Sequence, residues 1–212
     1  MIKENHIAVQ KTARYYTLGE FGQNTKSIWI VLHGFRQNAA GFLSDFEPLL
    51  NPTTFFIAPE GLNRFYLDGY TGKVGATWMT KEDRLNEIKD YISYLNELHR
   101  HFKLESFSGK ITALGYSQGA STLTRWINAG NCKIDNAIVY AGEVAPDILP
   151  LAENSGLRRT ENYFIYANRD EYFTLDLLAK ARENYKPLNF TEVEFDGGHE
   201  LNLEVLKPMI KS

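Results

Sequence analysis

Six short runs of apolar and aromatic residues recur along the chain between stretches of helical character: Ile28 to Leu32, Phe55 to Ala58, Ile111 to Leu114, Ala137 to Ala141, Tyr163 to Ala167 and Phe190 to Phe195. Several are nearly continuous rather than alternating, as a strand must be when helices cover both of its faces. The pattern predicts an α/β fold built on a mostly parallel sheet. A seventh segment, Arg14 to Leu18, is expected to pair with the Ile28 strand as an antiparallel edge through the polar Gly19-to-Ser27 connection. That makes about seven strands.

Between the strands the clearest helix runs from about Lys81 to Phe102. Leu85, Ile88, Ile92, Leu95, Leu98 and Phe102 recur there at three- and four-residue steps, with Thr80 as the expected N-cap. Further helices are expected at Ala39 to Leu50, Gln118 to Ala129, Leu175 to Tyr185 and from about Leu201 onward. The stretch from Gly61 to Thr77 lacks strong periodicity but carries Phe65, Tyr66 and Tyr70 among glycines, and reads either as a site-shaping loop or as an aromatic-rich surface loop pinned against the body. At 212 residues, with no long linker and no internal repeat, residues 1–212 are expected to form a single domain.

Composition excludes several classes of partner. The formal charge of −3 comes from interspersed acids and bases, so neither nucleic acid nor an anionic membrane is an expected partner. Cys132 stands alone, leaving no internal disulfide and no thiolate set for a metal. The first residues, Met1 to His6, contain no apolar signal core, and no segment is long enough to span a bilayer, so a cytoplasmic location is expected.

Chemistry concentrates at strand ends. Gly115-Tyr116-Ser117-Gln118-Gly119 lies where an apolar run gives way to a helical stretch, the setting of a nucleophile elbow. A serine hydroxyl needs a histidine base, and the histidine needs a carboxylate to fix its tautomer. Of the five histidines, His199 in Asp196-Gly-Gly-His199-Glu200 directly follows the last expected strand and is the best base. Asp170, just beyond the Tyr163 strand, is the favoured acid, with Glu143 after the preceding strand as its rival. The order Ser117, Asp170, His199 is that of α/β-hydrolases.

An oxyanion also needs rigid amide donors. The Gln118 amide is one candidate; the second is the Phe35 amide in His33-Gly34-Phe35-Arg36, which follows the Ile28 strand. Phe65, Tyr66, Trp78 and Met79 are candidates for the wall of an apolar substrate pocket. A zincin pattern would need a histidine at position 203, which is Leu203, and neither a phosphate-binding nor a dinucleotide fingerprint is present, so no metal or cofactor is implied.

Taken together in this order, Leu32-His33-Gly34-Phe35, Gly115-Tyr-Ser-Gln-Gly119, Asn168-Arg-Asp170 and Gly197-Gly-His199-Glu200 resemble the carboxylesterase/phospholipase family of α/β-hydrolases, which includes acyl-protein thioesterases. The resemblance covers the chain from about Ile28 to His199. It implies an α/β-hydrolase fold with a small or absent cap, Ser117 as nucleophile, Asp170 as acid, His199 as base, and Phe35 and Gln118 as oxyanion amides. It also implies an acyl-enzyme route on a small-molecule ester. A short-to-medium acyl carboxylesterase is the expected activity; the alternatives are a thioesterase or lysophospholipase of the same fold, or a ligand-binding module without turnover. Two departures stand out. The family commonly continues its His-Gly loop with a Gly-Asp pair where this chain has Phe35-Arg36-Gln37-Asn38, and often follows its acid with Val-Val-Pro where this chain has Glu171-Tyr172-Phe173.

Overall fold

Strand β2 (Ser27–Leu32) shows why the apolar runs are continuous: Ile28, Ile30 and Leu32 enter one core while Trp29 and Val31 enter another, on the opposite side of the sheet. The computed structural model describes residues 1–211. Its main sheet joins β1 (Tyr15–Leu18), β2, β3 (Thr54–Pro59), β6 (Lys110–Tyr116), β7 (Asn136–Tyr140), β8 (Glu161–Ala167) and β9 (Thr191–Phe195) in the order β1-β3-β2-β6-β7-β8-β9. Every pairing is parallel except β1 with β3. Helices α2 (Arg84–His101), α3 (Gln118–Asn128) and α4 (Leu175–Tyr185) fill the first core; α1 (Ala39–Ser44) and α5 (Lys207–Lys211) lie against the second. Among the described residues, no helix is long and apolar enough to cross a membrane.

Four sequence expectations change. The edge strand β1 pairs with β3 rather than β2, because both edges of β2 are taken by the parallel ladders to β3 and β6. The Ala39-to-Leu50 helix stops at Ser44 and resumes only as a single 3-10 turn at Glu47–Leu49, where Pro48 lacks the N–H that a continuing helix requires. Thr80 does not cap α2, which begins at Arg84 after Asp83 enters the left-handed region at φ 45°. Thr80 is instead held by Glu87, whose carboxylate accepts its backbone N–H at 2.6 Å.

The Gly61-to-Thr77 stretch is a two-stranded antiparallel hairpin, β4 (Asn63–Tyr66) with β5 (Val74–Thr77). Its strands are too short to show a period against the surrounding glycines. The hairpin base is tied to the loop after β2, since Arg36 N–H donates to Ala76 O at 3.0 Å and Ala76 N–H donates to Gln37 O at 2.8 Å. Its tip, from Leu67 to Lys73, carries a Tyr70 side chain exposed over 93% of its surface.

Candidate active site

Parallel strands bring their carboxyl ends to one edge of the sheet, and a crevice opens where neighbouring connections run in opposite directions. Here that point lies between β2 and β6, because the chain moves from β2 outward to β3 and later from β6 outward to β7. Register sets Leu32 beside Gly115, so His33-Gly34-Phe35 leaves β2 next to Tyr116-Ser117 leaving β6. At the far side Ala167 faces Phe195, which brings the loops bearing Asp170 and His199 together.

Ser117 occupies φ 53° and ψ −115°, a sparsely populated region that costs about 1–3 kcal/mol for a side-chain-bearing residue. The flanking glycines make that turn possible. A Cβ on Gly115 would stand 2.3 Å from Gly119 O, and one on Gly119 would stand 2.3 Å from Leu32 O. Both clashes are with backbone, which cannot rotate away.

The three residues singled out from the sequence meet in a hydrogen-bonded chain. Ser117 Oγ lies 3.0 Å from His199 Nε2, and His199 Nδ1 lies 2.8 Å from Asp170 Oδ2. The Asp170 carboxylate is wholly buried while the imidazole keeps 17% exposure, so solvent reaches His199 and not Asp170. The other carboxylate oxygen, Oδ1, accepts the backbone N–H groups of Tyr172 and Phe173 at 2.8 and 3.0 Å. That arrangement leaves Oδ2 free for Nδ1–H, which places the imidazole lone pair on Nε2, facing the serine. Glu143 is not part of this chain of contacts; its backbone carbonyl accepts the Ser121 hydroxyl instead.

Two amides next to the elbow, in sequence or across the Gly34 contact, have no acceptor among the described residues. Gln118 opens α3, where first-turn N–H groups have no intrahelical acceptor, and Phe35 N–H has no partner among the described residues. The Gly34–Gln37 turn is closed by Gln37 N–H to Gly34 O at 3.3 Å, and Gln37 Oε1 accepts Gly34 N–H at 2.7 Å. The Gln118 side chain pins the next segment, its Oε1 accepting Trp78 N–H at 3.1 Å and its Nε2 donating to Met79 O at 2.8 Å.

The four pocket candidates are dispersed. Trp78 is buried in the core, 5.1 Å from the stacked His33 ring, and donates its indole N–H to His33 O at 2.9 Å. The Met79 thioether is turned to Arg125, 3.7 Å from Nη1. Phe65 and Tyr66 alternate across β4, so only Phe65 packs on Phe35, with ring centroids 5.7 Å apart, while Tyr66 is half exposed on the other face. His33 is a scaffold residue: Nδ1 donates to Gly34 O at 2.7 Å and Nε2 accepts Gly61 N–H at 3.0 Å, and burial pushes its pKa down.

Two buried tyrosines with no assigned role in the sequence reading hold the histidine loop from below. Tyr116 donates its hydroxyl to His199 O at 2.8 Å, and Tyr140 accepts Asn202 N–H at 2.7 Å. Burial pushes both phenols up, so they stay neutral. The sequence signal was available only for Tyr116, which sits inside the elbow pentapeptide. Behind α3, Arg125 is only 5% exposed and forks onto Asp147, which Arg84 also reaches. Among the described residues, one trio of metal-ligand types comes together, Glu4, His6 and Asp83; all three are exposed and lie outside the serine–histidine–aspartate chain.

The sequence matches no protein-family model and no curated protein. Its structure is similar to solved ones over nearly full length. An acyl-protein thioesterase 2 from Zea mays superposes with a TM-score of 0.70 at 14% identity, covering 94% of this chain and 97% of that one. A phospholipase/carboxylesterase from Dyadobacter fermentans gives 0.67 at 16% identity over 95% and 97%, and a Bacillus cereus carboxylesterase gives 0.67 at 15% identity over 94% and 92%. Sheet order, helix placement and these likenesses agree that the chain has the α/β-hydrolase fold.

Proposed function

We propose that the protein is a serine hydrolase of carboxylic esters acting through an acyl-enzyme. The observation that carries this reading is the continuous Ser117–His199–Asp170 hydrogen-bond chain, at 3.0 and 2.8 Å, with two unspent amides beside the serine. In this reading His199 Nε2 takes the Ser117 proton as Oγ attacks the ester carbonyl. The amides of Phe35 and Gln118 receive the developing oxyanion, and buried Asp170 stabilises the imidazolium. His199 then gives its proton to the leaving alcohol, and the same imidazole activates water to release the acyl group.

The half-exposed Phe35 ring with Phe65 packed against it offers an apolar surface two rings wide, which favours short-to-medium acyl groups over long chains. The esterase, carboxylesterase and thioesterase structures that share the fold support hydrolysis as the reaction class. The test is hydrolysis of p-nitrophenyl esters from acetate to palmitate by the native protein and Ser117→Ala, with a thioester measured in parallel. The reading expects a loss of on the order of a thousandfold or more in the variant and an optimum below the long chains. Equal turnover in both proteins refutes the serine mechanism.

A further inference from the structure

Arg36 occupies a position where an arginine is poorly suited to the backbone. It is the third residue of the Gly34–Gln37 turn, with φ 70°, in the left-handed region where glycine is the residue of least strain. The turn is held on all sides: Arg36 N–H is spent on Ala76 O, Gln37 N–H on Gly34 O, and Gly34 N–H on Gln37 Oε1. No relaxation toward negative φ is available without breaking these bonds. A side chain kept at such a point is a pointer to what the side chain does.

The guanidinium is also underused. Its one hydrogen bond is a long one, Nη2 to Leu67 O at 3.4 Å, and among the described residues it has no carboxylate partner. Most other arginines in the chain pair with an acid. The two others that lack one among the described residues, Arg158 and Arg159, are tied to backbone carbonyls close by in sequence, ahead of β8. Arg36 is exposed, and its turn meets the serine at Gly34, where a Cβ would lie 3.3 Å from Ser117 Cβ; the Arg36 backbone follows Gly34 by two residues, at most about 7 Å of chain, and its side chain reaches the hairpin at Leu67 O. The exposed Phe35 ring, against Phe65, forms an apolar shelf next to it.

We infer that Arg36 is the anion-recognising group of the substrate site, and that the protein's esters carry a carboxylate or phosphate separated from the scissile carbonyl by a short apolar segment. This rests on the hydrolase reading and names its substrate class. The planar guanidinium fork matches two oxygens of either anion, and a rigid turn presents it without the ordering cost of a mobile loop. The apolar segment lies over Phe35 and Phe65 while the carbonyl meets the Phe35 and Gln118 amides.

The experiment compares the p-nitrophenyl monoester of glutarate with the neutral p-nitrophenyl valerate, using native protein, R36G and R36K at low salt. Glycine suits the left-handed turn, so R36G removes the guanidinium without adding strain. Native protein is expected to prefer the charged ester by at least about tenfold in kcat/KM, and R36G to lose most of that preference, with R36K intermediate. Competitive inhibition by glutarate against that by glycerol 3-phosphate assigns the anion as carboxylate or phosphate. A native protein with no charge preference, or one whose preference survives in R36G, overturns the inference. Should neither ester be turned over and Ser117 resist a fluorophosphonate, the hydrolase reading fails instead. The anion site is then judged by thermal shift alone, and it falls if neither glutarate nor glycerol 3-phosphate raises Tm in native protein more than in R36G.

Discussion

Replacing Asp170 by asparagine changes one atom, and the structure dictates which way the new amide must turn. Oδ1 accepts two backbone N–H groups, from Tyr172 and Phe173, while Oδ2 faces His199 Nδ1. If the asparagine NH2 took the Oδ1 place, it would set donors against two buried donors, each costing about 1–3 kcal/mol. The side chain therefore keeps its oxygen on the two amides and turns NH2 toward Nδ1. The imidazole must then present its lone pair at Nδ1 and carry its proton on Nε2, where it donates to Ser117 Oγ instead of accepting from it. The proposed mechanism needs the other tautomer; restoring it means breaking that arrangement and facing two donors at Nδ1, about 4–5 kcal/mol in all, and the carboxylate charge that would stabilise an imidazolium is gone as well. At about 1.4 kcal/mol per tenfold, kcat should fall roughly a thousand- to ten-thousandfold. Because both backbone hydrogen bonds survive, Tm should move by only a few degrees. Steady-state hydrolysis of p-nitrophenyl butyrate by Asp170→Asn and, as control, Glu143→Gln decides the matter. An Asp170→Asn enzyme within tenfold of native, or a Glu143→Gln enzyme equally impaired, would refute the reasoning.

Tyr116→Phe removes only the hydroxyl that holds His199 O, a loss of about 1 kcal/mol, and should lower kcat several-fold with KM little changed. A drop in Tm with unaltered kcat would show that the tether supports the fold and not the base. The hydrogen bonds from Arg125, reinforced by Arg84, hold Asp147 well below its ordinary value of 3.8. Its contribution to stability is therefore present above that value and is lost as pH falls toward the depressed folded-state pKa. Asp147→Asn should unfold at lower urea than native protein by a gap that is constant from pH 7 to about 5 and narrows below about 4. A gap that widens on acidification would contradict the assignment.

The sheet was legible because burial on both faces writes itself into sequence as unbroken apolar runs, and each of the six runs from Ile28 onward contains or overlaps a strand. The elbow was legible for a different reason: Gly115 is required by contact with Gly119 O and Gly119 by contact with Leu32 O, so both glycines fall inside one five-residue pattern. The chain order of Ser117, Asp170 and His199 anticipated a contact that spans 82 residues, because the strand ends of one parallel sheet must share an edge. What escaped was set by contacts with no local pattern. The partner of β1 depends on which strand edges are free, and the hairpin is too short to display a period. Buried Glu60 illustrates the rest: its carboxylate binds Arg14, 46 residues away, and the Ala39 N–H, a role that neither residue announces in sequence. The dispersal of Trp78, Met79 and Tyr66 has the same origin, since nearness in sequence to a site does not fix the direction of a side chain.

The hairpin has two ends under different constraints. At its base, Ala76 exchanges hydrogen bonds with Arg36 and Gln37, and Gly75 leaves room for Arg36 O, where a Cβ would come within 2.2 Å. At its tip, Gly69 and Gly72 have open space around them and the chain lies in solvent. Insertions, deletions and grafted recognition segments can therefore enter between Leu67 and Lys73 without moving the turn that carries the Phe35 amide. Descendants of this chain are free to lengthen that tip while inheriting the serine, histidine and aspartate unaltered, and a library built there would vary the exposed surface of the hairpin at little risk to folding.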